Sequence, residues 1–397
     1  MKYVILIGDG MGDYPVDSLS GRTPLEAAKT PNMDWIVEHG EVGRAKTIPD
    51  GCEAGSDTAN LSILGYDPAG VLAGRGPLEA ASLGIQLSSV DVAYRCNLVT
   101  LSGREPDVVM EDYSAGHVST DEARTLILDL DRGVGNNIFQ FYPGVSYRHI
   151  MVWRGGEMDV QTTPPHDITG RAVGPYLDRM GSSEPLLSLM HNAASLLKDH
   201  PVNRRRMKMG EKPANNVWFW GQGNPLRITP FKEKTGLSGA MISAVDLLKG
   251  IGVYAGLDVI NVPGATGYLD TNYAGKVEGC LRALQEVDFV YLHVEAPDEA
   301  SHSGLLDEKI EAIEAFDEKI VGSVLHGLKA VGDFRIMVLP DHYTPVSVRT
   351  HTREPAPFAI FGTDREKAGT NGGFNEKTAE KGPLVEEGFR LIHRLID

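Results

Sequence analysis

The stretch FRIMVLPDHYTPVSVRTHTREPAPFAIFG, residues 334–362, decides how this chain is read. It opens on a continuous apolar run, FRIMVL, and closes on another, PFAIFG. Unbroken runs of this length predict strands buried on both faces, the pattern of a parallel sheet covered by helices. The first run stops abruptly in Asp341 and His342, and His351 follows before the second run begins. Ligands of open α/β sheets sit beyond the carboxyl ends of the strands, and a carboxylate with an imidazole at such an end suits a divalent metal. An Asp that caps a turn beside a surface His explains this pair alone equally well.

Other strand ends repeat the pattern. YVILI runs into Asp9, and FVYLHV runs into EAPDEASHSG, where Asp298 and His302 stand four residues apart. Residues at i and i+4 on a helical turn face the same way and can meet one ion. Four segments thus bring Asp or His to one expected edge of one sheet. Three Asp and three His without Cys suit manganese, zinc, cobalt or magnesium. Six ligands exceed one tetrahedral site, so two adjacent ions are expected, an arrangement that serves phosphoryl and ester chemistry. A nucleophile is offered by Ser56 in AGSDTANLSILG, at the start of a helical pattern where backbone N–H groups can hold an oxyanion. Taken alone, Ser56 reads as an ordinary N-cap.

Between the strand runs lie helical patterns, such as residues 306–332 with Ile310, Ile313, Ile320, Val324 and Leu328 on one face. The alternation predicts an α/β class with a largely parallel sheet flanked by helices. From about residue 90 to 223 the chain changes to irregular and alternating stretches. A smaller inserted α+β domain is expected over 90–223, within a discontinuous core of 1–89 and 224–397. Glycines at 74–76 and 221–223 are the expected hinges.

The net charge of −16 argues against nucleic acid or an anionic membrane as partner. Cys52, Cys96 and Cys280 have no paired spacing, which fits a reducing compartment. The N-terminal apolar run is too short for a signal peptide, and no run approaches a membrane span. A cytoplasmic protein is expected.

With these pieces in view, the sequence resembles the cofactor-independent phosphoglycerate mutases, in particular their archaeal-type branch within the alkaline phosphatase superfamily. The resemblance rests on IGDGMGD, AGSDTANLSILGYDP, GRGPLEAASLGI, VPGATGYLDTNY, HVEAPDEASHSG, LPDHYTP and RTHTREPAPF, and it spans essentially the whole chain. It implies an alkaline-phosphatase-like core whose inserted domain is a lid over the substrate. The implied activity is interconversion of 3-phosphoglycerate and 2-phosphoglycerate, without bisphosphoglycerate, in glycolysis and gluconeogenesis. Asp298, His302 and His351 would hold one ion, and Asp9, Asp341 and His342 the other, which Ser56 would also touch as the nucleophile that becomes phosphoserine. Manganese is the first choice of metal.

Arg is the natural partner of a substrate bearing phosphate and carboxylate, and the candidates are Arg148 and the NRRRMK run, Arg204, Arg205 and Arg206, which reads equally as a solvated basic loop. His117 and the pair His166–Asp167 could orient glycerate or carry its proton, though each also reads as a turn residue. Lys276 could bring an ammonium to the phosphoryl group, or be a surface Lys. His293 is read as facing the sheet interior or a carboxylate that orients a ligand, and is not counted as a ligand. The alternatives are a metal-dependent phosphatase or phosphonate hydrolase, or another phosphomutase, on the same core.

Overall fold

A computed structural model describes residues 1–71, 74–104, 106–181, 183–365 and 369–397. The chain divides into two compact units, Met1–Leu72 with Arg227–Asp397, and Ala73–Leu226.

Among the described residues, the first unit holds an eight-stranded sheet. In spatial order its strands are Leu384–Val385, Glu41–Ala45, Ala356–Gly362, Phe334–Leu339, Lys2–Gly8, Phe289–Val294, Gly239–Ile242 and Asp258–Ile260. Lys2–Gly8 lies at the centre, parallel to both neighbours, with Leu6 opposite Leu292 on one side and Val338 on the other. That register releases the chain at Asp9, Glu295 and Pro340 side by side. Ala356–Gly362 runs antiparallel to Phe334–Leu339 and so starts from the same edge, just after His351. Glu41–Ala45 is antiparallel in turn, pairing Ala45 with Ala356, and delivers the chain there on its way to Ser56. The sheet is thus largely parallel with one reversed strand, and pairing alone gathers five site-bearing segments at one edge.

The strands are buried on both faces, as their unbroken apolar runs require. Val4, Leu6, Val290, Leu292, Ile336 and Val338 enter one core cluster with Met33, Ile36, Cys280, Leu284, Ile313 and Ile320 from the covering helices. Alternation sends Ile5, Ile7, Tyr291 and His293 to the opposite face, where the Tyr291 hydroxyl donates to Asn60 Oδ1 on helix Ser56–Ile63. The helical pattern after residue 306 contains a π turn, Phe316–Gly322, between Leu306–Ala315 and Ser323–Leu328. Its Asp317 accepts the backbone N–H groups of Asn32 and Met33 at the start of helix Pro31–His39, a favourable position for a carboxylate. Ile310, expected on the buried face, is only half-buried, and Lys309 is buried in its place.

The second unit is antiparallel. Val92–Ser102 pairs with Val109–Asp112, Arg148–Trp153 and Asn216–Gly223, and Phe139–Tyr142 extends the sheet beyond Arg148–Trp153. Helices Thr120–Gly133 and Glu184–Lys198 supply Leu126, Leu130, Leu189 and Ala193 to its core. The unit starts earlier than residue 90, because helix Gly76–Ser82 packs Ala80 against Ala93, Ile150 and Val152. Two of the glycines expected as hinges are sites of close packing. A β-carbon on Gly74 would lie 2.0 Å from the Gln222 carbonyl oxygen, and one on Gly76 2.2 Å from that of Ala93.

His149 links this unit to pH. It is buried, its Nδ1 accepts the Gly144 N–H at 3.0 Å, and burial with the neighbouring Arg148 charge lowers its pKa to about 3. Folded His149 therefore stays neutral where the unfolded chain takes a proton. Its stability contribution is full above the unfolded value of 6.5 and is lost as pH falls from there towards 3. By pH 4.5 the loss should reach about 2–3 kcal/mol. His149→Asn keeps an acceptor for Gly144 and should flatten this dependence, read by urea unfolding with the fluorescence of Trp153, Trp218 and Trp220.

Candidate metal centre

All seven residues marked by the strand-end reading lie in the first unit, and the structure brings them together. Asp298 begins the ring of contacts on helix Ala296–Ser303. Its Oδ2 is 3.1 Å from His302 Nε2, and its Oδ1 is 3.6 Å from His351 Nε2. The two imidazole Nε2 atoms are 2.9 Å apart. His342 Nε2 is 3.5 Å from Asp9 Oδ1, 3.5 Å from Asp341 Oδ2 and 3.2 Å from Ser56 Oγ. His342 also stacks near His351, with ring centres 4.1 Å apart, so it stands between the two carboxylate groups.

Each ring is turned by a bond on its other nitrogen. His302 Nδ1 donates to the Arg349 carbonyl at 2.9 Å, and Arg349 sits at φ 60°, in the left-handed region, to present that oxygen. His351 Nδ1 faces the Ala54 carbonyl at 3.4 Å. Thr344 Oγ1 gives its proton to Asp298 Oδ1 at 2.5 Å, leaving its lone pair to accept from His342 Nδ1 at 3.2 Å. Held at Nδ1, all three rings turn Nε2 inward. This is how metal-ligating imidazoles are held.

The acids are equally constrained. Asp341 is fully buried; Oδ1 accepts the Gly10 and His342 N–H groups, and Oδ2 accepts Asn60 Nδ2. Asn60 stands one helical turn after Ser56 and also donates to the Ser56 carbonyl, tying the nucleophile's turn to the acid. Gly10 must be glycine, with φ 62° and a β-carbon position 2.6 Å from both Asp298 Oδ1 and Thr344 Oγ1. Asp9 is buried, and its Oδ1 has no hydrogen-bond partner. Burial, then the Asp341 and Asp298 charges, push Asp9 well above the usual carboxylate range. Burial would raise Asp298 too, but its bonds to His302 and His351 hold it well below that range, while Asp298 lifts His302 to about 9.

A buried carboxylate oxygen without a partner, Asp9 Oδ1, set among inward-facing imidazole nitrogens is costly without a cation. Two groups of side chains each place one donor atom per residue within 4.8 Å of the others: Asp298, His342 and His351, and Asp9, His293 and Asp341. Oxygen and imidazole donors without sulfur fit a hard or borderline divalent ion.

Ser56 opens the eight-residue helix Ser56–Ile63, where it is half-buried and adjacent to His342. Behind the centre, fully buried Lys309 donates to the Gly12 and Thr344 carbonyls and to Asp13 Oδ2 at 2.8 Å. It pins the loop after Asp9 to the loop after His342. Lys309→Met would strand the Asp13 charge and should cost about 3–5 kcal/mol, measured by urea unfolding of the metal-free protein.

Lys276 does not serve the expected purpose. It is fully buried, burial lowers it to about 8, and its ammonium donates to the His293 carbonyl at 3.0 Å. It braces the strand that carries His293 instead of facing a substrate.

In the second unit His117, Arg148 and His166 gather around two tyrosines. Tyr147 contacts His117 and Arg148, and Tyr113 contacts Tyr147 and His166. Asp167 is exposed, with Oδ1 3.6 Å from His166 Nε2. Ala115, Gly116 and His117 are consecutively left-handed, a strained turn of the kind found at binding sites. Sequence reading missed Arg95, which lies over Trp220 at 4.0 Å, pairs with Glu79 at 3.0 Å and is lowered by burial and by the charges of Arg75 and Arg148. A charged residue inside the apolar run DVAYRCNLV was the available signal. Arg204 and Arg205 stand elsewhere, exposed on helix Pro201–Lys208 and paired with Asp199 and Glu122.

A family model described as 2,3-bisphosphoglycerate-independent phosphoglycerate mutase matches residues 38–203. A probable 2,3-bisphosphoglycerate-independent phosphoglycerate mutase of Geobacter sulfurreducens is 52% identical over 398 aligned residues, covering 100% of both chains. The chain belongs to the 2,3-bisphosphoglycerate-independent phosphoglycerate mutase family. Another member, from Methanosarcina barkeri, is 53% identical over 97% of this chain and 96% of its own. Among solved structures, a protein from Pyrococcus horikoshii is similar with a TM-score of 0.85 and 31% identity, over 100% of this chain and 96% of its own. Among the described residues no helix is long and apolar enough to cross a membrane.

Proposed function

We propose that this member of the mutase family interconverts 3-phosphoglycerate and 2-phosphoglycerate through a phosphoserine at Ser56. The observation that carries the reading is Ser56 Oγ, 3.2 Å from His342 Nε2, at the rim of the converging acids and imidazoles. Asp298, His302 and His351 would hold one divalent ion and Asp9 and Asp341 a second, with His342 between them; Mn²⁺ fits the mixed donors, and Co²⁺, Zn²⁺ or Mg²⁺ are the alternatives. Bound ions would supply charge neutralisation for the transferring phosphoryl group and favour the ionised serine.

The chain's own groups have distinct parts in this reading. Ser56 attacks the phosphorus in line and releases glycerate. The backbone N–H groups at the start of helix Ser56–Ile63 face the anion. Asn60 holds the serine turn against Asp341. Arg148, with His117 and His166, is the candidate by its chemistry for the glycerate carboxylate, and Arg95 joins it. The other glycerate hydroxyl then takes the phosphoryl group back. Location in the cytoplasm belongs to the same reading and rests on sequence alone.

A phosphatase on the same residues would share the first half-reaction and lose the phosphoryl group to water. Purified protein with Mn²⁺ and 3-phosphoglycerate, free of bisphosphoglycerate, separates the two. The expected product is 2-phosphoglycerate at equilibrium; free phosphate as the main product would overturn the mutase assignment.

A further inference from the structure

Building on the two-ion reading above, we propose that His293 is a protein ligand, through Nε2, of the ion held by Asp9 and Asp341. Nothing about its place in the sequence announces this, since it stands inside the apolar run FVYLHV. Strand alternation turns it to the face of the sheet that carries helix Ser56–Ile63, and the parallel register sets it beside Ile7, two residues before Asp9.

His293 is 0% exposed, and its Nε2 lies 3.0 Å from Asp9 Oδ2. Yet that Nε2 has no hydrogen-bond partner, and neither has Asp9 Oδ1. The ring is near the carboxylate but not aligned to donate to it. Two donors at right angles around one ion, each about 2.1 Å from it, lie about 3 Å apart with no requirement that a proton point from one to the other. The same spacing recurs at His302–Asp298, 3.1 Å, and at His302–His351, 2.9 Å. Asp341 completes the group, one donor atom from each of the three residues lying within 4.8 Å of the others. Behind the ring, Nδ1 is 3.5 Å from Ser243 Oγ, and the His293 carbonyl receives the Lys276 ammonium, which fixes the backbone from which the ring projects.

A neutral nitrogen at this position has a chemical consequence. Two carboxylates and an imidazole leave a divalent ion formally neutral, whereas a third carboxylate would leave it anionic and a poorer acid for the Ser56 oxygen. Imidazole also favours manganese, cobalt or zinc over magnesium.

The test uses the full-length protein loaded with Co²⁺, with imidazoles counted by X-ray absorption and affinity measured by equilibrium dialysis. With His293, His302, His342 and His351 all bound to two ions, the parent should show about two imidazoles per ion. His293→Gln keeps a polar side chain beside Asp9 while removing the imidazole, and His293→Ala removes both. Each variant should lose one imidazole per protein and bind one Co²⁺ at least about tenfold more weakly. About 1.5 imidazoles per ion in the parent, or parental count and affinity in His293→Gln, would overturn the assignment while leaving the two-ion reading intact. A parent that binds no stoichiometric Co²⁺ would remove both.

Discussion

Replacing Ser56 by alanine is expected to lower mutase turnover by about 10⁴-fold or more, the scale seen when a catalytic nucleophile is deleted. The metal content of the same variant should stay near that of the parent. The separation follows from the geometry. Ser56 Oγ touches the centre only at its rim, through His342, whereas the acids and the other imidazoles are fixed by bonds in which the hydroxyl has no part. The Ser56 carbonyl that anchors Asn60 belongs to the backbone and survives the substitution. Activity and bound metal should be measured on one preparation, so that loss of turnover cannot be attributed to loss of ions.

Replacing Asp9 by asparagine is expected to have two effects of opposite sign. In the metal-free protein it should be neutral or stabilising near pH 7, because burial and then the charge of Asp341 already work against an ionised Asp9. In the presence of Mn²⁺ it should be severe: weaker binding of one ion by at least about 100-fold, and turnover lower by on the order of 10³-fold. The parent should melt at a higher temperature as Mn²⁺ is added, as any ligand that binds only the folded state requires, and the variant should lose much of that gain. Paired melting curves with and without Mn²⁺ read both effects. A variant less stable than the parent without metal, yet equally stabilised by it, would show that Asp9 is a structural acid.

These predictions draw on residues that were legible in the sequence for one physical reason. Strands buried on both faces must be apolar throughout, so the first acid or imidazole after the run marks the sheet's edge. Asp9 and Asp341 stand out in this way, Asp298 follows one helical turn after the first acid, Glu295, and His302 and His342 stand beside them. The sequence could not show that Ala356–Gly362 runs backwards, which is what carries His351 to the same edge. His293 escaped because it lies within a run, where a polar residue reads as an exception. Asn60 and Thr344 escaped because an amide and a hydroxyl acquire their roles only through partners distant in sequence.

The second unit was harder for a related reason. The NRRRMK run attracted attention by its charge, but Arg205 is already paired with Glu122, a partner that no local pattern links to it. Arg95, alone within a strand, instead feels the charge of Arg148 and acts on His166. Lys276 reads as an ammonium for the phosphoryl group or as a surface lysine, both of which need an open side chain, whereas helix Tyr273–Glu286 turns it under the strand Phe289–Val294. The start of the unit was misplaced because the helical pattern of residues 76–82 does not say which sheet it covers.

The central claim is that Ser56 carries the phosphoryl group between two half-reactions. It is tested most directly by acid-quenching the Mn²⁺-loaded enzyme during turnover of 3-phosphoglycerate and sequencing the peptide that spans Ser56 by mass spectrometry. Phosphate on Ser56, formed and lost at rates that match turnover, is the result predicted. Full turnover with that serine never modified would contradict the account.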